Sequence, residues 1–137
     1  MDNKKTHLEM IQGVINRMSN NSFLIKGWAV TLVAGIFALS AKDNDKVFFL
    51  IAYIPIILFW GLDSYYLLQE RLYRSLFNNV RLKRDEDIDF SMKATKAIFP
   101  EDGNSFWSCI LSKTELWFYL PLAIVSAGII IISLVIQ

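Results

Sequence analysis

A chain of 137 residues, 54% of them hydrophobic and with a mean hydropathy of +0.37, is too apolar for an ordinary soluble domain of this size. The formal net charge of +1 selects no class of partner, and the placement of the charges is the more informative feature. A single cysteine, Cys109, and a single histidine, His7, exclude an internal disulfide, a cysteine-based zinc cage and histidine-rich metal or catalytic centres.

At the N-terminus, Thr6 and Glu9 have the spacing of a capping box. Leu8, Ile11, Ile15 and Met18 then recur at helical spacing, with Glu9, Gln12, Asn16 and Arg17 on the other side. This pattern predicts an amphipathic helix within 1–22. It either lies in the membrane interface or packs beneath the membrane as a partner-binding or gating element. Asn20-Asn21-Ser22 interrupts the pattern and is expected to cap a new helix.

A bilayer core about 30 Å thick needs about 20 apolar residues in a helix. Three stretches meet that length, near Phe23–Ala41, Val47–Leu68 and Leu116–Ile136. The first follows a long polar and amphipathic stretch and has no small-residue cleavage site, so a removable signal peptide is not expected. The expected organisation is an N-terminal helix in 1–22, a transmembrane hairpin in 23–69, a basic segment in 70–114 and a third transmembrane helix in 115–137. The fold class is all-α, with the second span extended as a helix into the cytoplasm.

Lysine and arginine set the orientation. Lys4, Lys5 and Arg17 precede the first span; Arg71, Arg74, Arg81, Lys83, Arg84, Lys93, Lys96 and Lys113 lie between the second and third. The loop Lys42–Lys46 balances its two lysines with Asp43 and Asp45, and nothing basic follows the third span. The expectation is a multi-pass protein of the bacterial inner membrane, with a cytoplasmic N-terminus and Gln137 outside.

Lys26 and Asp63 are ionisable residues inside apolar spans, where charge is costly and points to function. Lys26 lies 42 − 26 = 16 residues before Lys42, and Asp63 lies 63 − 47 = 16 residues after Val47. At 1.5 Å per residue, both sit about 24 Å from the outer ends of their helices. An intramembrane ion pair is expected, structural or moving in gating, with snorkelling of Lys26 as the alternative. Gly27, Thr31, Gly35, Ala38 and Ala41 form a small-residue face that suits packing on the second span, a subunit interface or a pore lining. A three-helix chain has little interior of its own, so a homo-oligomer is expected. Trp28, Tyr65, Tyr66, Trp107, Trp117 and Tyr119 fit an inner aromatic belt, and Phe48 and Phe49 an outer one.

Beyond the second span, Leu68, Leu72, Leu76 and Val80 continue an apolar stripe from Tyr65, with Arg71, Arg74, Asn78 and Arg81 on a polar one. The helix is expected to end near Asp85, because Asp85-Glu86-Asp87 disfavours a helix C-terminus. Phe99-Pro100 and Asp102-Gly103-Asn104 predict a turn, and Trp107, Ile110 and Leu111 a short interfacial helix. Arg71, Arg74, Arg81, Lys83 and Arg84, near Phe77, Phe90 and Phe99, read in two ways. They are a contact for membrane lipid headgroups and a topology signal. Or they are a site for a nucleotide or single-stranded oligonucleotide, held by arginine–phosphate contacts and stacking. No phosphate-cradling glycine loop, Ser/His/Asp set or H-E-x-x-H motif is present, and the acidic run Asp85–Asp89 fits a solvated turn. No enzymatic activity, cofactor or metal is therefore expected.

Three segments carry a resemblance: Lys26-Gly27-Trp28, the long run from Leu62-Asp63-Ser64-Tyr65-Tyr66 through Glu70-Arg71-Leu72-Tyr73-Arg74, and Phe90-Ser91-Met92. Together they resemble a group of small bacterial membrane proteins. Their layout is similar to that of the transmembrane effectors of nucleotide-signalled antiphage systems, the Hailong effectors among them. The resemblance implies an oligomeric ion channel kept closed by an oligodeoxyadenylate, which a partner nucleotidyltransferase makes. The competing expectations are a non-conducting accessory or scaffold subunit of a membrane complex and a holin-like pore that needs no ligand.

Overall fold

The computed structural model describes residues 2–43 and 47–136, apart from the side chains of Lys42, Asp43 and Phe48. The expectations about the loop Lys42–Lys46, Phe48 and Gln137 lie outside the described residues. Among the described residues five α-helices follow in order: α1 (Asp2–Asp43), α2 (Val47–Ile51), α3 (Tyr53–Leu82), α4 (Phe106–Ile110) and α5 (Lys113–Val135). A 3-10 turn at Asp85–Asp87 lies between α3 and α4. Three helical stretches among the described residues, Asp2–Ala41, Phe49–Leu82 and Lys113–Val135, are long and apolar enough to cross a membrane.

α1 has 42 residues, which makes it about 63 Å long, twice the hydrocarbon thickness. It is one helix, so the expected break at Asn20-Asn21-Ser22 does not form. The side chain of Ser22 bonds to Asp63 on α3 instead of capping its own backbone, and tertiary packing overrides the local preference. Nor is Thr6 an N-cap: the helix already starts at Asp2, and the Thr6 hydroxyl donates to the Asp2 carbonyl at 3.0 Å. The amphipathic segment runs on in line with the first span and packs its apolar face on α3. It does not lie apart in the interface.

The second span is split at Ala52. A continuous helix would press the ring of Pro55 against the carbonyl of Ile51. Starting α3 at Tyr53 puts Pro55 in the first turn, where its missing N–H has no intrahelical partner to lose. α3 then runs 30 residues, about 45 Å, well past the apolar stretch. It stops at Leu82, three residues before the acidic run, with Lys83 extended. The Lys4 ammonium donates to the Lys83 carbonyl at 2.6 Å and lies 3.9 Å from Asp85, so a cation sits at this helix end, where the dipole favours it.

Two apolar cores form among the described residues. One combines Ile11 and Ile15 of α1 with Leu72, Leu76 and Val80 of α3, closed over by Ile88, Ala94 and Phe99 of the connecting segment. This core gives the polar end of the molecule a folded headpiece. Arg71 fastens its turn by donating to the Gly103 carbonyl at 2.8 Å. The buried Asn104 amide does the same toward Ser75 Oγ at 3.0 Å and the Phe99 carbonyl at 3.1 Å. The second core lies within the spans and is small: Val33, Ala52 and Ile56, with Ile36, Phe37, Tyr53, Leu122 and Ala123 against it. Only 11, 22 and 11% of the most apolar stretches of the three spans is buried in the chain, which leaves most of their surface for lipid or for other copies.

Candidate functional site

Between the two cores lies a polar cluster that draws on all three spans. α1 contributes Ser22 and Lys26 and α5 contributes Glu115 and Tyr119, each pair one helical turn apart, and α3 contributes Asp63. The expected ion pair is formed. Lys26 Nζ is 2.5 Å from Asp63 Oδ2, 2.9 Å from Ser22 Oγ and 3.4 Å from Glu115 Oε1. Ser22 donates to Asp63 Oδ1, and the Tyr119 hydroxyl reaches Asp63 Oδ2 at 3.0 Å and the Phe59 carbonyl at 3.3 Å. The Asp63 carboxylate is 0% exposed and that of Glu115 1%, against 16% for the Lys26 side chain. Trp60 closes one side by stacking on Tyr119 at 5.8 Å, while its indole N–H donates to the Ile110 carbonyl at 3.1 Å and so holds α4. Lys26 does not snorkel away; its ammonium is the hub of the cluster.

Three residues of this cluster escape a reading of the sequence by type and period: Ser22, Glu115 and Tyr119. Glu115 stands one residue before the apolar run that marks the third span. Its spacing from Ser112 does carry a signal, because Ser112 is the N-cap of α5 and accepts from the Glu115 N–H. The glutamate does not complete a capping box, since its carboxylate turns inward to Lys26. Tyr119 is fully buried against Asp63 and does not belong to the aromatic belt. Phe49 is buried too, whereas Trp28, Trp107 and Trp117 are exposed as an interfacial role requires.

The small-residue face of α1 turns away from the rest of the chain. Gly27, Thr31, Gly35 and Ala38 are exposed, and among the described residues a Cβ added at Gly27 or Gly35 would meet nothing within 4 Å. The face that packs inside the chain carries Ala29, Val33 and Ser40. Packing of the small face on the second span, one of its expected uses, is therefore overturned.

On the headpiece, Arg74 and Arg81 are exposed on α3, as their spacing predicts. Arg71 is turned to the Gly103 carbonyl, and Arg84 pairs with Asp87 at 3.2 Å, so these two are committed locally. Arg74 pairs with Glu70, one helical turn away, at 2.9 Å. Lys83 is half-buried, and its carbonyl binds Lys4. Phe99 belongs to the headpiece core and is not free to stack; Phe90 is exposed, and Phe77 is partly buried. A shallow groove of about 450 Å³ runs between α1 and α3 past Lys4, Lys5, Gln12 and Phe77. A second hollow shares Gln12 and Phe77 and continues to Arg74 and Asn78. The Cys109 thiol, buried in α4, is raised above its ordinary range chiefly by that burial, with Arg71 opposing.

No family model, curated protein or solved structure matches the chain.

Proposed function

We propose that the chain is the subunit of a homo-oligomeric ion channel, a membrane effector of bacterial antiphage defence. A nucleotide or single-stranded oligonucleotide on its cytoplasmic headpiece gates it. The antiphage role rests on the resemblance of the Asp63–Arg74 run and its companions. The gating reading rests on one observation: α3 is a single unbroken helix that carries both the exposed Arg74 and Arg81 and the buried Asp63. A polyanion drawn to the arginines acts on the same rigid element that holds the intramembrane cluster, so ligand binding biases the packing of α3 against α1 and α5.

The unpartnered small-residue face of α1 supports assembly from several copies. Gly35→Leu tests it with little risk to the subunit, because a Cβ at that position meets nothing within 4 Å among the described residues. Native mass spectrometry in detergent is expected to show wild-type oligomers and, for Gly35→Leu, their loss or a changed size. A monomeric wild type would refute the assembly.

The orientation follows from the basic residues of the headpiece. In a Cys109→Ser background, a membrane-impermeant thiol reagent applied to whole cells is expected to modify Asp45→Cys and to spare Lys83→Cys. The reverse pattern rejects a cytoplasmic headpiece.

A further inference from the structure

The charges of the buried cluster do not balance. Lys26 faces two carboxylates, Asp63 and Glu115, so with all three ionised the cluster carries one negative charge in excess. The hydrogen bonds place that excess. Both oxygens of Asp63 are satisfied, Oδ1 by Ser22 and Oδ2 by Lys26 and Tyr119. Glu115 Oε1 has only the longer contact to Lys26, and Glu115 Oε2 is buried with no partner at all among the described residues. A buried carboxylate oxygen without a donor is costly, and a buried excess charge more so.

We propose that Glu115 is a proton-binding site: a proton on its carboxyl group neutralises the cluster in the packed bundle, and its loss unseats α5 from the α1–α3 hairpin. The neighbours from every packed element fit this. α1 offers Lys26, α3 offers Asp63, α5 itself offers Tyr119, and α4 offers the buried Cys109 thiol. Lys26 is the one cation among them, and Asp63 already shares it. Arg71 lies beside Cys109 and gives its guanidinium to the Gly103 carbonyl. A metal cation suits the site less well than a proton, because the Lys26 ammonium already bridges the carboxylates and would repel it. Among the described residues, no three His, Cys, Asp or Glu side chains gather to hold a metal ion. α5 has two side chains in the cluster, Glu115 and Tyr119, so a charged Glu115 favours any arrangement that brings its carboxylate to water. Acid therefore stabilises the packed bundle and alkali loosens it.

The test does not require the chain to conduct, so it stands or falls apart from the channel reading. Infrared difference spectra between acid and alkaline samples in lipid vesicles are expected to show a protonated-carboxyl stretch that disappears as pH rises. Glu115→Gln removes the band. Asp63→Asn leaves Lys26 to Glu115 alone, and the band is then lost at a proton concentration about tenfold higher or more. Spin labels at Leu39→Cys and Val135→Cys, in a Cys109→Ser background, report the seating of α5. Their separation is expected to change with pH in the wild type and not in Glu115→Gln. A wild type without a titrating band, a band that persists in Glu115→Gln, one unmoved in Asp63→Asn, or a pH-independent separation in the wild type overturns the proposal.

Discussion

Lys26→Met is expected to be the most damaging single substitution in the molecule. It leaves two carboxylates, 0% and 1% exposed, facing each other with no cation between them. Removing one partner of a buried ion pair costs about 3–5 kcal/mol, because the remaining charge stays desolvated. Asp63→Asn is milder: Lys26 keeps Glu115, and the amide oxygen that replaces the carboxylate can still accept from Ser22 or Tyr119. The double variant Lys26→Met/Asp63→Asn is expected to recover part of the loss, since Glu115 alone then remains to take up a proton. The measurement is a double-mutant cycle on thermal unfolding or oligomer yield in detergent. Strictly additive defects, or Asp63→Asn as harmful as Lys26→Met, would show that the three side chains do not act as a unit.

Arg74→Ala and Arg81→Ala are each expected to weaken binding of short single-stranded DNA about tenfold, the worth of a charge-assisted contact to phosphate. Arg74 must first be released from Glu70, its partner one helical turn away at 2.9 Å, whose side chain is only 15% exposed against 59% for the arginine. Each lost phosphate contact also lowers the slope of log affinity on log salt by about 0.7 for a single strand. Arg71→Ala acts differently: it frees the turn at Gly103 and loosens the headpiece without lowering the salt slope. Lys4 has more at stake than a surface lysine, because it holds the Lys83 carbonyl at the end of α3. Lys4→Ala is therefore expected to fray that helix end while leaving the salt slope intact. Uniform loss across all four variants with no change in slope would make the basic face a lipid contact or a topology signal.

The spans were legible because length and hydropathy alone define them. The Lys26–Asp63 pair was legible because two antiparallel helices of known rise put equal residue counts at equal depth. Glu115 was not, because reading the third span from Leu116 leaves the glutamate in a loop; only the Ser112–Glu115 spacing marks the helix as starting earlier. The direction of the Gly27–Ala38 face was not legible either. Periodicity says which residues share a face, not which neighbour the face meets, and here Ala29 and Val33 meet the chain instead. The headpiece core was half legible. Leu72, Leu76 and Val80 repeat at helical spacing, whereas Ile88, Ala94 and Phe99 come from a segment without a period and are brought in by the turn that Arg71 and Asn104 fasten. Asn20-Asn21-Ser22 misleads for a related reason: its local preference for a cap is outweighed by the partner that Ser22 finds 41 residues on.

In the proposed channel, a ligand on the arginine face of α3 acts on conduction through the buried cluster. The most direct test of this coupling is the conductance of the purified protein in planar bilayers, with and without short oligodeoxyadenylate or cyclic nucleotides, at low and at physiological salt. Wild-type conductance is expected to change on adding one of these ligands, most strongly at low salt. Arg74→Ala/Arg81→Ala should lose the response while still conducting, and Lys26→Met should bind the ligand without responding. A wild type that does not conduct, or that conducts identically with and without every one of these ligands, contradicts the account.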